Sequence, residues 1–342
     1  MENKVKKIVS TMLSAVLCVS LLSGCSGKSS VSSNVDTDLV VKVAHASSEE
    51  SSTQVVCEAF KEKLEELSDG KITVQIYPNA TLGSEAEMVE SLQMGTLDAG
   101  TFGRHSAIDK KLDVLNLPFL FESDEQVEKV LRGEEGKTIR EKLNSIMADN
   151  GIVALGWYET GFREITSNKK IESLDDLNGL LIRTPSTDTL IKSFQAWGAA
   201  PTAVDLSELY TSLKTGVVDA QENPYQLIYS NKLYEVQKYL CVTNHLTIPN
   251  QLVFSEKVWR EYTTDQQEMI EKAGKYACDK GGEYNIEKNS TLMDELKNKM
   301  TVTYMDESSI QKMKDIAKEN VWPDFINDAD TEEIVKEIEK VK

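Results

Sequence analysis

Leu39-Val40-Val41-Lys42-Val43-Ala44-His45 alternates along a β-rich run, and Lys71-Ile72-Thr73-Val74-Gln75-Ile76-Tyr77 repeats that habit further on. Between them Val55, Val56, Phe60, Leu64 and Leu67 recur at helical spacing after Ser51 or Ser52, either of which can cap a helix, and Gly70 stops the run. A strand, a helix and a strand of this length make one right-handed crossover unit, so the segment predicts a parallel sheet. The pattern continues outward. Ser84 caps a second helix with Met88, Val89 and Leu92 on one face, and Gly95 ends it before a short strand at Leu97–Phe102. Helical stretches at Asp124–Leu131 and Lys137–Met147 lead to a strand at Ile152–Trp157. Past Gly161 a second series follows: strand Leu180–Arg183, helix Thr187–Trp197, extended Ala203–Val204, helix Leu206–Lys214 and strand Val217–Gln221. Leu252–Phe254 is extended, and a periodic run without proline from Thr264 to about Met300 is long enough to span two α/β lobes.

The composition agrees with two domains. The chain has 342 residues, 40% hydrophobic and 27% charged, which is the make-up of a globular protein. A formal charge of -18 argues against a nucleic-acid partner, because phosphate backbones are bound through basic faces. At the start, Lys4, Lys6 and Lys7 precede an apolar stretch from Ile8 to Leu22 that suits a secretory signal. Leu22-Ser23-Gly24-Cys25 looks like a bacterial lipobox, so residues 1–24 are expected to be a lipoprotein signal peptide and Cys25 the lipidated residue that anchors the chain to the cell membrane. Residues 25–38, rich in Ser, read as a flexible tether. Cys57, Cys241 and Cys278 remain. Being odd in number and without metal-ligand spacing, they read as small buried apolar residues, with no metal site.

Enzyme signals are absent. There is no GxSxG, no HExxH, and only His45, His105 and His245 to serve as bases. Neither GxGxxG nor GxxxxGK[ST] occurs, so no nucleotide cofactor is expected. The informative residues are cations near strand ends. Arg163 follows Gly161-Phe162, and Arg183 ends the strand Leu180-Leu181-Ile182 just before Pro185. An arginine there can project into the crevice where open α/β sheets bind ligands, and its planar fork matches a carboxylate. On the residues alone, a salt bridge on an acid-rich surface is the plainer reading of either arginine.

The string from Gly161-Phe162-Arg163 through Asp176-Leu177-Asn178-Gly179-Leu180-Leu181-Ile182-Arg183-Thr184-Pro185 and Gly198-Ala199-Ala200-Pro201 to Gly216-Val217-Val218-Asp219-Ala220-Gln221-Glu222-Asn223-Pro224 closely resembles the substrate-binding subunits of TRAP transporters, the DctP-type family. Gly95-Thr96-Leu97-Asp98 and Tyr234-Glu235-Val236-Gln237-Lys238-Tyr239 extend the likeness over most of the chain. The resemblance implies a two-lobe, periplasmic-binding-protein-like (type II) α/β fold with a hinge and a long helix crossing both lobes. Residues 39–160 and about 249–290 would form lobe I, and 161–248 with about 291–342 lobe II. It implies an extracytoplasmic receptor, not an enzyme, that hands a small organic acid to a small DctQ-type and a large DctM-type membrane subunit. By residue matching, Arg183 pairs with the ligand carboxylate, Arg163 is a second cationic donor, and Asn223 fixes the same group. His45, Glu85, Ser186 and His245 match further pocket positions.

Sialic-acid members of the family carry an acidic residue and an arginine after the Gly-x-Leu-Asp strand. This chain has Phe102-Gly103-Arg104-His105-Ser106 there, which argues against sialic acid. The polar candidates favour a sugar acid such as a uronate or aldonate, since buried acceptors need donors on the ligand, and Glu85 would repel a second carboxylate. A C4-dicarboxylate ligand, or a sensory receptor of the same build that signals to a membrane kinase or chemoreceptor, stays open.

Overall fold

The computed structural model describes residues 39–342. The signal peptide expected at 1–24, the tether at 25–38 and Cys25 lie outside the described residues. Two sheets organise the rest. The first contains β1 (Leu39–Ala44), β2 (Ile72–Tyr77), β3 (Ala99–Phe102), β4 (Ile152–Tyr158) and β10 (Asn250–Ser255), in the order β2-β1-β3-β10-β4. The second contains β5 (Arg163–Ser167), β6 (Leu181–Thr184), β7 (Ala200–Ala203), β8 (Ala220–Pro224), β9 (Tyr239–Val242) and β11 (Thr301–Tyr304), in the order β11-β9-β5-β8-β6-β7.

The opening unit folds as its pattern dictates. Ser51 caps the helix Ser52–Leu67 through its side chain, and β1 runs parallel to β2 from Leu39 beside Ile72 to Ala44 beside Tyr77. Ser84 and Glu87 form a capping box at the start of Glu85–Met94, and Gly95 closes that helix in the left-handed conformation. In the second sheet the strand expected at Val217–Gln221 begins later, at Ala220. Gly216 ends the preceding helix, and the Asp219 N–H bonds back to Leu181 before the ladder starts. The shift places Glu222 and Asn223 inside β8.

The chain passes between the sheets at 159–162 and returns at 243–249. These two segments lie side by side: Phe162 bridges Thr247, Thr160 Oγ1 donates to Ile248 O at 2.9 Å, and Thr247 Oγ1 donates to Gly161 O at 3.0 Å. The helix Thr264–Lys297 crosses the same junction. Its 34 residues span about 51 Å at 1.5 Å each. Near its start Ile270, Ala273, Ala277 and Cys278 join the core under β1 with Val56 and Phe60, while Leu296 packs with Leu209, Leu213 and Leu240 of the other half. Midway, Asn285 Nδ2 donates to Glu159 O at 2.7 Å, tying the helix to the first crossing segment.

One expectation needs correction. The stretch 291–342 does not stay with the second sheet. β11 and the helix Glu307–Asn320 do, but the last helix, Ala329–Lys340, packs on 110–116 and 137–149 beside the first sheet. Gln126 Nε2 donates to Ile338 O at 3.1 Å and to Val341 O at 2.9 Å, and Lys111 pairs with Asp330 at 2.7 Å. The apolar face of Ile334, Val335 and Ile338 is evident in the sequence, but the surface that receives it is not. Among the described residues no helix is long and apolar enough to cross a membrane.

Candidate ligand-binding cleft

A cleft with about 100 Å³ of cavity space, open at its mouth, lies where edges of the two sheets face each other. The second sheet contributes Arg183 near the end of β6, Asn223 near the end of β8 and Arg163 at the start of β5. Because β5 runs antiparallel to β8, with Arg163 opposite Pro224, a strand start and a strand end meet at one edge. Pro185 and Ser186 follow β6. The first sheet contributes Ala46 and Ser47 after β1, Glu85 at a helix N-terminus, and Gly103 and Arg104 after β3. Of the residues singled out in the sequence, Arg163, Arg183, Asn223, Glu85 and Ser186 therefore line one cavity, and His45 and His245 do not.

Arg183 is only 2% exposed. Its Nε donates to Val204 O at 2.8 Å, and among the described residues no carboxylate lies within 4.0 Å of its guanidinium. Burial lowers its pKa to about 10, against the pull of Glu222 and with added repulsion from Arg163. A buried cation without a counter-charge is costly unless an anion arrives.

Arg163 is satisfied from within. Its Nε and Nη2 fork onto the Glu222 carboxylate, Nη2 to Oε1 at 2.9 Å, and Nη2 also reaches Asn223 Oδ1 at 2.9 Å. Asn223 Nδ2 in turn donates to Gln221 Oε1 at 2.6 Å. Burial works against charge on Glu222, but Arg163 and His245 outweigh it and hold its carboxyl below the ordinary range. His245 sits behind, its Nε2 3.6 Å from Glu222 and its Nδ1 2.7 Å from Thr243 Oγ1, edge-on against the rings of Phe194 and Trp197. Burial lowers its pKa, so the ring favours the neutral form more than a free imidazole does. His245 is thus a support for the ion pair. His45, buried, has Nε2 2.8 Å from Gln54 Oε1 and is held by the first turn of the 52–67 helix.

Sequence reasoning missed two residues here. Glu222 gave no signal because the expected strand ended at Gln221, and only the later start of β8 puts Glu222 in a buried strand opposite Ile165 and against Arg163. Arg104 stood in a segment scanned for an acidic residue and an arginine two positions on. Its Nε is buried without a partner. Glu85 nearby is half-buried. Burial raises its pKa, opposed by the charge of Arg104 and by the backbone N–H groups of Gly103 and Arg104. Cys57, Cys241 and Cys278 are free and buried, and among the described residues no group of His, Cys, Asp or Glu is arranged to hold a metal.

Comparison with known proteins places this geometry. Residues 43–328 match the model of the DctP family, bacterial extracellular solute-binding protein family 7. The C4-dicarboxylate-binding periplasmic protein DctP of Rhodobacter capsulatus is 30% identical over 271 residues, 78% of this chain and 80% of its own. A TRAP periplasmic solute-binding protein of Haemophilus influenzae with bound L-gulonate superposes with a TM-score of 0.83 at 31% identity, covering 89% of this chain and all of that one (100%). The sugar-acid-binding protein DctPAm of Advenella mimigardefordensis, in complex with galactonate, gives 0.83 at 27% identity over 89% and 98%. Fold, cleft and family match coincide along most of the described chain, and the protein belongs to the family 7 bacterial extracellular solute-binding proteins as a TRAP solute-binding protein.

Proposed function

We propose that this TRAP solute-binding protein captures a sugar acid, a uronate or an aldonate, outside the cytoplasmic membrane and delivers it to small DctQ-type and large DctM-type membrane subunits. In this reading the chain is held at the membrane by lipid on Cys25 and performs no bond chemistry. The observation that carries it is Arg183, buried on the cleft wall with no carboxylate partner among the described residues. Arg163 already has Glu222, so Arg183 is the cation whose burial a ligand carboxylate would offset. Its bidentate fork fixes one end of the ligand, Asn223 lies beside it, and the polar wall from Ser47, Glu85 and Arg104 suits hydroxyls along the remainder. A ligand touching both walls shifts the population toward a closed form, since only differential affinity moves such an equilibrium.

The experiment is a thermal-shift and calorimetric series with galactonate, gulonate, galacturonate and succinate. Sugar acids are expected to raise the melting temperature by mass action, more than succinate does. Arg183→Ala is expected to cost about 2–5 kcal/mol of binding, and Arg183→Lys to lose heavily too, because a point charge does not reproduce the fork. Unchanged affinity in Arg183→Ala would remove Arg183 from the site. A preference for succinate would replace the sugar acid by a C4-dicarboxylate.

A further inference from the structure

Arg104 stands on the wall supplied by the first sheet, in the turn that follows β3. It is half-buried, its Nε is shielded from water without an acceptor, and among the described residues no carboxylate lies within 4.0 Å of its guanidinium. Unused donors of this kind, facing a cavity, await an acceptor from outside.

The base of the side chain is fixed from two directions. On one, the backbone N–H groups of Gly103 and Arg104 act on the Glu85 carboxylate and favour its charge. On the other, Gly103 lies so close to β10 and the crossing segment before it that a Cβ would sit 2.7 Å from Asn250 Oδ1 and 2.7 Å from Ile248 Cγ2. The turn therefore has no room to swing, and a guanidinium on such a base is preorganised.

The surrounding charge says what it is preorganised for. Glu85 and the buried Asp113 both interact electrostatically with Arg104. Glu85 acts on both arginines, and Glu222 and Asp205 act on Arg183 as well, so burial is what separates the two: Arg183 is 2% exposed and Arg104 half-buried. The stronger demand for an anion therefore sits at Arg183, and the less desolvated Arg104 is left to take neutral acceptor oxygens.

Resting on the sugar-acid reading above, we propose that Arg104 is the specificity-determining residue of this cleft: it donates to hydroxyl oxygens at the end of the ligand remote from the carboxylate held by Arg183. The site then selects long polyhydroxylated monoanions over short acids and over dianions. Glu85 is a positioning residue that aims Arg104 through the backbone of the 103–104 turn. A site built to hydrogen-bond hydroxyls discriminates strongly against analogues lacking them, because its donors are then stranded.

The test is calorimetric titration of the full chain and its variants with D-glycerate, D-erythronate, L-galactonate and succinate. In the wild type, affinity rises with chain length among the three aldonates. Arg104→Ala is expected to lose about ten- to a hundredfold on L-galactonate and no more than about threefold on D-glycerate, flattening the length dependence. Glu85→Ala shifts the same ratio partway, and Glu85→Gln, which keeps an acceptor for the two backbone N–H groups, restores it. If Arg104→Ala lowers the melting temperature of the free protein, Arg104→Gln reads the same ratio with less disturbance. An equal loss on all acids, or no loss, overturns the proposal. So does a selective loss of succinate, which would make Arg104 the seat of a second carboxylate. If the wild type binds none of these acids, the sugar-acid reading itself fails and this one falls with it; if it binds them and the length ratio is unmoved by Arg104→Ala, only the role of Arg104 is lost.

Discussion

Arg163 and Arg183 carry the same side chain into opposite circumstances. Arg163 is neutralised inside the protein by Glu222, which is itself wholly buried, so removing either partner strands a charge. Glu222→Ala should destabilise the free protein by about 3–5 kcal/mol, measured by denaturant unfolding, with Glu222→Gln less damaging because hydrogen bonds to Arg163 survive. A milder loss than for a surface Glu would contradict the pairing. Asp113 shows a different cost. Burial first, then the charge of Asp188, raises its pKa to about 7, against hydrogen bonds from Ser106 and Asn116. The folded state holds this proton after the unfolded chain has released it, so stability falls as pH rises from about 4 toward 7 and levels off above. Asp113→Asn should therefore melt higher than the wild type at pH 8, and by a smaller margin or none at pH 5. A margin independent of pH would refute the assignment. Glu222 and Arg163 are 59 positions apart, and Asp113 owes part of its shift to the distant Asp188 as well as to burial.

At the scale of elements, the helix Thr264–Lys297 governs how the halves are joined. Its small residues are where it touches the first half most closely. A Cβ on Gly281 would lie 2.3 Å from Val56 Cγ2. Alanine would favour the helix by up to about 1 kcal/mol, but the collision should cost about 1–3 kcal/mol. Gly281→Ala is thus expected to lower the melting temperature, and Val56→Ala to relieve part of that loss in the double variant, as coupling between touching residues requires. Strict additivity of the two changes would show that the helices do not meet there. The periodicity of this helix, its start after Thr263 and its lack of proline were legible beforehand, because caps and spacing are local properties. β5 was not legible: Arg-Glu-Ile-Thr-Ser from 163 to 167 is buried throughout yet mostly polar, so no apolar alternation announces it.

For the whole molecule, the C-terminal helix shows how an amphipathic segment finds a partner far along the chain. Deleting 329–342 removes the cover from 110–116 and 137–149 and leaves Gln126 without the Ile338 and Val341 carbonyls. The truncated chain should unfold at lower denaturant and bind hydrophobic dye. Truncation without loss of stability would mean that the helix is an appendage. By itself the sequence determined the strands and helices of the opening unit and most of the second series, the parallel opening pair, a cap at Ser51 or Ser52 and another at Ser84, and, through its resemblance to a family, which arginines to watch. These follow from propensities and hydrogen bonds within a few residues, or from motifs that travel intact. Only the tertiary structure decided that Arg163 is spent on Glu222 while Arg183 is not, that His245 stands behind the ion pair, and that Arg104 faces the cleft. The residues of that ion pair are 59 positions apart and meet only through strand register, and whether a buried charge is compensated depends on every group that burial brings near it.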